Sequence, residues 1–252
     1  MSKTILVTGA TSGFGKAIAT KFAAAGWRCI ITGRRKDKLE ALADELAASY
    51  KTEVRGLVFD VQDKAQVFAE MKNLPVEWSI IDVLVNNAGL ALGRDSFDEA
   101  SLDDWDTMID TNVKGLLYMS KAVLPGMVSR KKGHIINIGS TAGKEVYLNG
   151  NAYCASKHAV DAISKAQRMD LLPYKIKVTA IHPGAAETEF STVRFKGDQQ
   201  KADAVYEGYE PLHAEDIADT VFYCANLPEH VCINDLVITC TAQANSFYTH
   251  KS

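Results

Sequence analysis

The chain has 252 residues, of which 47% are hydrophobic, and a formal net charge of −3. It is long enough to bury a large core, and this charge balance gives no reason to expect nucleic acid or a membrane surface as a partner. No apolar run approaches the roughly 18 residues of a membrane span, and the N-terminus leads into an apolar segment with no room for a signal peptide, so we expect a cytoplasmic protein.

Apolar, β-branched segments alternate with segments of helical periodicity along the whole chain. The predicted strands are residues 4–7, 28–32, 54–59, 83–85, 134–138, 177–181 and 236–238. The predicted helices are residues 14–25, 37–49, 64–72, 102–130, 151–172 and 214–226. Strict alternation predicts a seven-stranded parallel, doubly wound sheet with helices on both faces. We therefore predict an α/β fold of the Rossmann type, with residues 1–252 in a single domain.

A glycine-rich turn follows the first predicted strand and opens the first helix. Glycines let the backbone approach a pyrophosphate, and the helix N-terminus offers unpaired N–H groups to an anion. The spacing is not G-x-G-x-x-G, and tight packing alone is an alternative explanation. We predict that six residues of this turn bind a dinucleotide: Gly9, Thr11, Ser12, Gly13, Phe14 and Gly15.

Two arginines follow the second predicted strand. NAD-binding folds place an acid about 20 residues after the glycine turn, where it holds the ribose 2′-hydroxyl. Here Arg34 and Arg35 would instead attract a 2′-phosphate, so we predict NADP as the cofactor, a solvated basic turn being the alternative. Asp60 and Val61, at the end of the third strand, are predicted to lie near the adenine, although Asp60 could instead cap a helix.

Three residues indicate acid–base chemistry. Tyr153 and Lys157 are four residues apart and share one helical face, and Ser140 closes the fifth predicted strand. An adjacent ammonium would lower the pKa of the tyrosine by favouring phenolate, and Ser140 could orient the same substrate oxygen. Asn112 lies inside a predicted helix, where its propensity is unfavourable, which points to a functional role; an ordinary surface position is the alternative.

Two C-terminal segments interrupt the alternation. Residues 187–210, which we call the lid segment, are polar with isolated aromatics and are predicted to form a mobile cover over the substrate; a surface insertion is the alternative. Residues 239–252, the C-terminal tail, could dock against a neighbouring subunit or fray. The odd number of cysteines and the scattered histidines predict buried free thiols and no metal site.

Together these motifs resemble the short-chain dehydrogenase/reductase family over essentially the whole chain. The resemblance implies strand order 3-2-1-4-5-6-7, often in a homotetramer. It implies a catalytic role for Tyr153 as general acid/base, for Lys157 in binding the nicotinamide ribose, for Ser140 in polarising the carbonyl and for Asn112 in holding a relay water. It also implies cofactor contacts from six residues of two further motifs: Asn87, Ala88, Gly89, Pro183, Gly184 and Thr188.

Four stretches resemble, within that family, both the sulfoacetaldehyde reductases and the NADP-dependent 3-hydroxy acid dehydrogenases, which act on serine and allo-threonine. These stretches are residues 34–35, 87–93, 138–143 and 191–198. Residues 144–150 and 185–187 depart from the hydroxy-acid enzymes, which favours an NADPH-dependent reductase making isethionate from sulfoacetaldehyde. The alternative is a dehydrogenase of serine, allo-threonine or 3-hydroxypropionate. A non-catalytic NADP sensor would be expected to lack the catalytic residues, and a reductase of neutral carbonyls would not need an anion site.

A small anionic substrate fits either activity. Arg194, on the lid segment, can clamp a carboxylate or a sulfonate with two hydrogen bonds, although a surface salt bridge is the alternative for this residue. Tyr147 is predicted to contact the substrate beside Ser140 and Tyr153, and Phe190 and Phe247 could wall the pocket, with core packing as the alternative for these aromatics.

Overall fold

Seven parallel strands form one sheet in the computed structural model, which describes residues 2–252. Their order is β3-β2-β1-β4-β5-β6-β7, as the family resemblance implies. Each predicted strand is confirmed to within two residues at either end. The strands are β1 (Thr4–Val7), β2 (Arg28–Gly33), β3 (Val54–Val58), β4 (Val83–Asn86), β5 (Gly133–Ile138), β6 (Ile176–Pro183) and β7 (Asp235–Ile238).

Nine α-helices lie among the described residues, and the long helix predicted at residues 102–130 is interrupted. A π-helical turn, Asp110–Gly115, separates its two halves. Two short helices that the sequence did not predict form within the lid segment. The helices are α1 (Gly13–Ala24), α2 (Lys36–Tyr50), α3 (Lys64–Lys72), α4 (Leu102–Ile109), α5 (Leu116–Arg130), α6 (Asn151–Leu171), α7 (Glu189–Arg194), α8 (Gln199–Ala204) and α9 (Ala214–Ala225).

The strand residues divide between two hydrophobic cores, one on each face of the sheet. Ile5 and Val7 of β1 belong to the core under α1, α2 and α9, whereas Leu6 between them belongs to the core under α3 and α5. This division follows from the two-residue repeat of a strand, which turns successive side chains to opposite faces. Burial on both faces explains why inner strands such as β1 and β4 read as continuous apolar runs.

Helix α1 packs against α9, the last helix of the chain. Phe22 is fully buried, and its ring makes an edge contact with that of Phe222 at a centroid distance of 5.1 Å. The Trp27 ring also makes an edge contact with the Phe22 ring, at a centroid distance of 4.9 Å. The first and last helices thus share one apolar core.

The strand order creates the crevice in which a ligand can bind. Strand β1 pairs with β2 on one side and with β4 on the other, so the connections after β1 and β4 leave the sheet in opposite directions. The carboxyl ends of these strands carry the glycine turn and the segment after Asn86, which brings both motifs to one edge.

Other expectations from the sequence also hold for residues 2–252. All five cysteines are free thiols, four of them buried. No helix in this part of the chain has the length and apolarity needed to cross a bilayer.

Candidate active site

A cavity of about 1150 Å³ opens along the carboxyl edge of the sheet. Every predicted site residue except Gly15 and Asn112 lines it, so residues from seven separate segments meet at one surface. The predicted residues in the lining are Gly9, Thr11, Ser12, Gly13, Phe14, Arg34, Arg35, Asp60, Val61, Asn87, Ala88, Gly89, Ser140, Tyr147, Tyr153, Lys157, Pro183, Gly184, Thr188 and Arg194.

The glycine turn requires backbone shapes that favour glycine. Gly9 and Gly13 have φ angles of +66° and +49°, in the left-handed region. A Cβ on Gly9 would lie 2.9 Å from the Cα of Ala88. Gly15 lies behind the turn, where a Cβ would meet the carbonyl oxygen of Gly9 at 2.3 Å, so this position needs glycine for close packing.

Asn87 holds this turn in place. Its side-chain amide donates to the carbonyl oxygens of Thr8 and Gly9 at 2.8 and 3.2 Å. The Thr8 hydroxyl accepts from the backbone N–H groups of Asn87 and Ala88 at 3.0 and 2.9 Å. The segment after β4 is therefore hydrogen-bonded to the segment after β1, and the Asn87 side chain acts on the turn.

The two arginines occupy one end of the cavity with different partners. Arg34 pairs with Asp60 at 3.3 Å, and the other carboxylate oxygen of Asp60 accepts from the backbone N–H of Gln62 at 3.0 Å. Arg35 donates to the hydroxyls of Thr11, at 3.0 and 2.8 Å, and Ser12, at 2.8 Å. This end therefore presents cationic and hydroxyl donors beside the glycine turn.

Glu189, at the start of α7, is a member of this group that the sequence did not reveal. Its carboxylate accepts from Arg35 at 2.8 Å and from Lys38 at 3.3 Å. Partial burial raises the pKa of Glu189, but hydrogen bonds from Arg35 and Lys38 outweigh it and hold the pKa below its usual range. Glu189 is therefore an ionised carboxylate held by two cations, Arg35 and Lys38.

Ser140, Tyr153 and Lys157 converge at the other end of the cavity. Tyr153 and Lys157 are buried on one face of α6, and the ammonium of Lys157 lies 6.0 Å from the centre of the Tyr153 ring. Lys157 donates to the carbonyl oxygen of Ile138 at 3.0 Å, which fixes it at the end of β5. The Ser140 hydroxyl accepts from the N–H of Ala142 at 3.1 Å.

The expectation of a lowered pKa for Tyr153 is wrong: the structure places this pKa above its usual value. Burial raises the pKa of Tyr153 well above its usual value, the nearby Tyr147 adds to this rise, and the Ser140 hydroxyl and Arg194 only partly oppose it. Burial also lowers the pKa of Lys157 to about 8. Desolvation disfavours the charged form of both groups, which raises the pKa of the phenol and lowers that of the ammonium.

Asn112 lies behind the cavity, in the π-helical turn. Its amide accepts from the N–H of Leu90 at 2.8 Å and donates to the Leu90 carbonyl oxygen at 2.9 Å and to the Ser156 hydroxyl at 2.9 Å. These bonds tie the segment after β4 to α6. Both amide hydrogens are used within the protein, so the side chain braces the site and does not line it.

Arg194 has no carboxylate partner among residues 2–252, so the alternative of a surface salt bridge is wrong. Its Nε donates to the carbonyl oxygen of Gly93 at 3.3 Å, and the Gly93 N–H donates to the Arg194 carbonyl oxygen at 2.9 Å. The guanidinium lies 5.5 Å from the centre of the Tyr147 ring and 5.6 Å from that of Tyr153. A cation thus faces the cavity beside the reacting groups.

The C-terminal tail folds back on its own chain and is not frayed. Gln243 accepts from the N–H of Ala185 at 2.8 Å and forms an antiparallel bridge with Thr249. The N–H of Ser252 donates to the carbonyl oxygen of Gly208 at 2.9 Å, so the tail holds the lid segment. Phe247 lines the cavity although 66% of it is exposed.

A charged cluster beside Ser140 was also not predicted. Asp161, His182 and Asp235 bring three potential metal-ligand atoms within 4.8 Å of one another. The ammonium of Lys144 bridges the two carboxylates at 2.8 and 2.5 Å, so this cluster contains its own cation. Its members come from four separate elements, which is why no sequence motif reveals it.

Comparisons with known proteins agree with this geometry. The family model described as short chain dehydrogenase matches residues 3–199. An NADP-dependent 3-hydroxy acid dehydrogenase, YdfG of Salmonella typhi, is 52% identical over 231 residues, which cover 91% of this chain and 92% of the relative. Sulfoacetaldehyde reductase 2 of Chromohalobacter salexigens is 46% identical over 249 residues, with 98% of each chain covered.

A solved structure shows the same fold over the full length. The closed form of a serine dehydrogenase complexed with NADP+ is 47% identical, with a TM-score of 0.93 and coverage of 99% of this chain and 100% of that one. This agreement extends from the glycine turn through the lid segment to the C-terminal tail. The chain belongs to the short-chain dehydrogenase family.

Proposed function

We propose that this protein is an NADP-dependent oxidoreductase that interconverts the hydroxyl and carbonyl forms of a short 3-hydroxy acid. The observation that carries the proposal is one continuous cavity with two chemically distinct ends. Arg35, Thr11 and Ser12 occupy one end, and Ser140, Tyr153 and Lys157 occupy the other. A dinucleotide bearing a 2′-phosphate would span such a pair of sites in this fold.

The residues present fit NADP. The Gly9 and Gly13 backbone leaves open a surface beside the N-terminus of α1, where side chains at these positions would be strained. Arg35 and Lys38 supply positive charge for a 2′-phosphate, and the second strand ends without the carboxylate that would favour a 2′-hydroxyl. Homologues described as NADP-dependent support the same cofactor.

NADP, when bound, supplies the hydride chemistry, and the protein supplies position and proton control. Tyr153 holds its proton at neutral pH because burial raises its pKa, so it is poised to donate to a carbonyl oxygen during reduction. Ser140 can donate a second hydrogen bond to that oxygen. Lys157, fixed by Ile138, supplies positive charge beside the tyrosine when it is protonated.

In this proposal the lid segment excludes water from the substrate. Phe190 lies 5.7 Å from the Tyr153 ring, centre to centre, and Arg194 at the other end of α7 faces the same ring. We infer that α7 covers the substrate and that closure dehydrates the Arg194 clamp, strengthening its hydrogen bonds to a substrate carboxylate.

The comparisons support a carboxylate substrate better than the sulfonate favoured by the sequence. The more similar curated relative and the solved structure are named for hydroxy acids and serine, and the sulfoacetaldehyde reductase is less similar. Lys144 is the cation within residues 144–150, and its ammonium binds Asp161 and Asp235 instead of facing the cavity. The departure in that segment therefore adds no sulfonate-binding charge. Sulfoacetaldehyde stays as the second candidate because that relative covers 98% of the chain.

Steady-state kinetics with purified protein tests the proposal. NADP reduction would be measured with serine, allo-threonine and 3-hydroxypropionate, and NADPH oxidation with malonate semialdehyde and sulfoacetaldehyde. We expect the higher kcat/KM with the carboxylates. A clear advantage for sulfoacetaldehyde would move the assignment to the sulfonate, and no NADP-dependent turnover with any of them would contradict the proposal.

The proposal retains the homotetramer that the family resemblance implies and the cytoplasmic location expected from the sequence. Light scattering after size-exclusion chromatography tests the assembly: a mass near four times 27.5 kDa is expected, and a monomer would contradict it.

A further inference from the structure

The 2′-phosphate end of the cavity already holds an anion of this chain. The carboxylate of Glu189 accepts from Arg35 at 2.8 Å and from Lys38 at 3.3 Å. The same guanidinium donates from its remaining nitrogens to the hydroxyls of Thr11 and Ser12. Glu189 and Arg35 are 154 residues apart in the sequence, so these contacts attach the start of α7 to the start of α2.

These donors are the ones that a ribose 2′-phosphate would require. Carboxylates and phosphates both take charge-assisted hydrogen bonds from guanidinium and ammonium groups. Arg34 pairs with Asp60, whereas Arg35 and Lys38 both pair with Glu189. Arg35 and Lys38 are therefore the cations for which a phosphate would compete with Glu189. A phosphate and the Glu189 carboxylate on the same guanidinium would repel each other, so one must yield.

Helix α7 connects this contact to the substrate end. Glu189 is its first residue and Arg194 its last, and six helical residues span about 9 Å. The backbone of Arg194 is bonded to Gly93, close to Tyr147 and Tyr153. A change in the position of Glu189 therefore acts on the helix that carries the proposed substrate clamp.

We propose that Glu189 is a specificity-determining residue that competes with the 2′-phosphate of NADP for Arg35 and Lys38. The phosphate displaces the carboxylate and releases the start of α7 from α2, whereas NAD, which has only a 2′-hydroxyl, leaves the ion pairs in place. The inference rests on the proposed NADP-dependent function. It adds a coupling between the cofactor's phosphate and the helix that bears Arg194.

Binding of cofactor fragments tests the competition without requiring turnover. Calorimetry would compare adenosine 2′,5′-bisphosphate with 5′-AMP on wild type, Glu189→Gln and Glu187→Gln. Glu187 lies on the same segment, is exposed and has no ion-pair partner among residues 2–252, so its variant removes the same charge without the contact. We expect Glu189→Gln to bind the bisphosphate roughly threefold more tightly than wild type, a size typical of one exposed charge pair. The affinity for 5′-AMP should be unchanged, and Glu187→Gln should match wild type.

An equal or weaker affinity of Glu189→Gln for the bisphosphate would overturn the competition, as would the same gain in Glu187→Gln. If wild type binds NADPH and turns over a 3-hydroxy acid while Glu189→Gln shows no gain, only this inference fails. If wild type binds neither the bisphosphate nor NADPH, the proposed function fails with it.

Hydrogen exchange tests the release of α7. Saturating bisphosphate should speed exchange of the amides of residues 189–194 in wild type, and saturating 5′-AMP should not. In Glu189→Gln these amides should exchange at the faster rate without ligand. Unchanged exchange in both experiments would overturn the coupling.

Discussion

The Nδ1 atom of His182 lies 3.2 Å from the carbonyl oxygen of Ser140. Because a carbonyl oxygen only accepts, Nδ1 carries the proton, and the other ring nitrogen faces Asp161 and Asp235 at 3.7 and 3.4 Å. Burial lowers the pKa of His182, and the ammonium of Lys144 lowers it further, although the two carboxylates oppose this. Burial, reinforced by Lys144, therefore favours a neutral imidazole against the backbone of the proposed catalytic serine.

Replacing Lys144 should destabilise the protein through this cluster. Lys144→Met leaves two carboxylates without their shared cation at a partly buried position, and we expect a loss of about 1–3 kcal/mol, between the values for exposed and buried pairs. Urea unfolding at pH 7 measures the change.

The control is Lys165→Met, which removes a more exposed partner of the same Asp161. It should cost about 0.5 kcal/mol or less. Equal losses of unfolding free energy in the two variants would show that the bridge made by Lys144 stabilises the protein no more than an exposed ion pair does.

Tyr153→Phe should abolish most turnover and preserve cofactor binding. The change removes only the hydroxyl, so kcat should fall by about 10²–10⁴-fold, the usual contribution of a general acid. The Kd for NADPH, measured by its fluorescence, should stay near the wild-type value because the ring still packs against Phe190. A parallel loss of binding and activity would count against the assignment of Tyr153 as the proton donor.

Arg194→Ala should weaken the use of an anionic substrate. A clamp dehydrated under the lid segment contributes at least ~2 kcal/mol, equivalent to about a 30-fold loss in kcat/KM. Arg94→Ala is the matched control, because Arg94 also lies near the Tyr147 ring, at 5.9 Å, but is exposed. If neutral carbonyl substrates lose as much as the acids do in Arg194→Ala, the residue is not an anion clamp.

The buried His134 predicts a loss of stability in mild acid. Burial lowers the pKa of His134 to about 3, and Lys177 acts in the same direction. Between pH 6.5 and 3 the unfolded chain therefore binds more protons at this site than the folded chain does. The contribution to stability is complete above pH 6.5 and falls by about 2 kcal/mol by pH 5.

Urea unfolding of wild type and His134→Gln at pH 7 and pH 5 tests this expectation. The carboxylates titrate alike in both proteins, so the difference between the two pH-dependent losses isolates His134. The variant should lose about 2 kcal/mol less than wild type over this interval. Equal losses would mean that His134 is protonated in the folded state.

The sequence predicted the inner strands well because strands such as β1, β4 and β5 are buried on both faces and read as nearly continuous apolar runs. The edge strands β3 and β7 are only partly buried. The prediction failed where a side chain changes the backbone: the amide of Asn112 binds both backbone groups of Leu90, and the helix around it widens into a π turn. An unfavourable residue in the middle of a helix was the only sign of this in the sequence.

The site residues were predicted where a local motif carries them, and missed where distant segments meet. The glycine turn and the Tyr153–Lys157 pair are short patterns with a stated chemistry. The ion pair between Glu189 and Arg35 joins two elements that are far apart in the chain. No periodic pattern in the sequence predicts such a contact. The direction of the Tyr153 pKa was also missed, because burial is a property of the assembled fold.

The contact between Phe22 and Phe222 has a consequence for synthesis on the ribosome. Strands β1–β3 leave the exit tunnel first, but the part of α1 that packs against α9 stays uncovered until α9, near the end of the chain, has been translated. The open edge of β1 likewise waits for β4. A nascent chain would thus expose apolar surface and an unpaired strand edge for most of its elongation. Such surfaces bind chaperones, and a truncated chain that retains them is prone to aggregate.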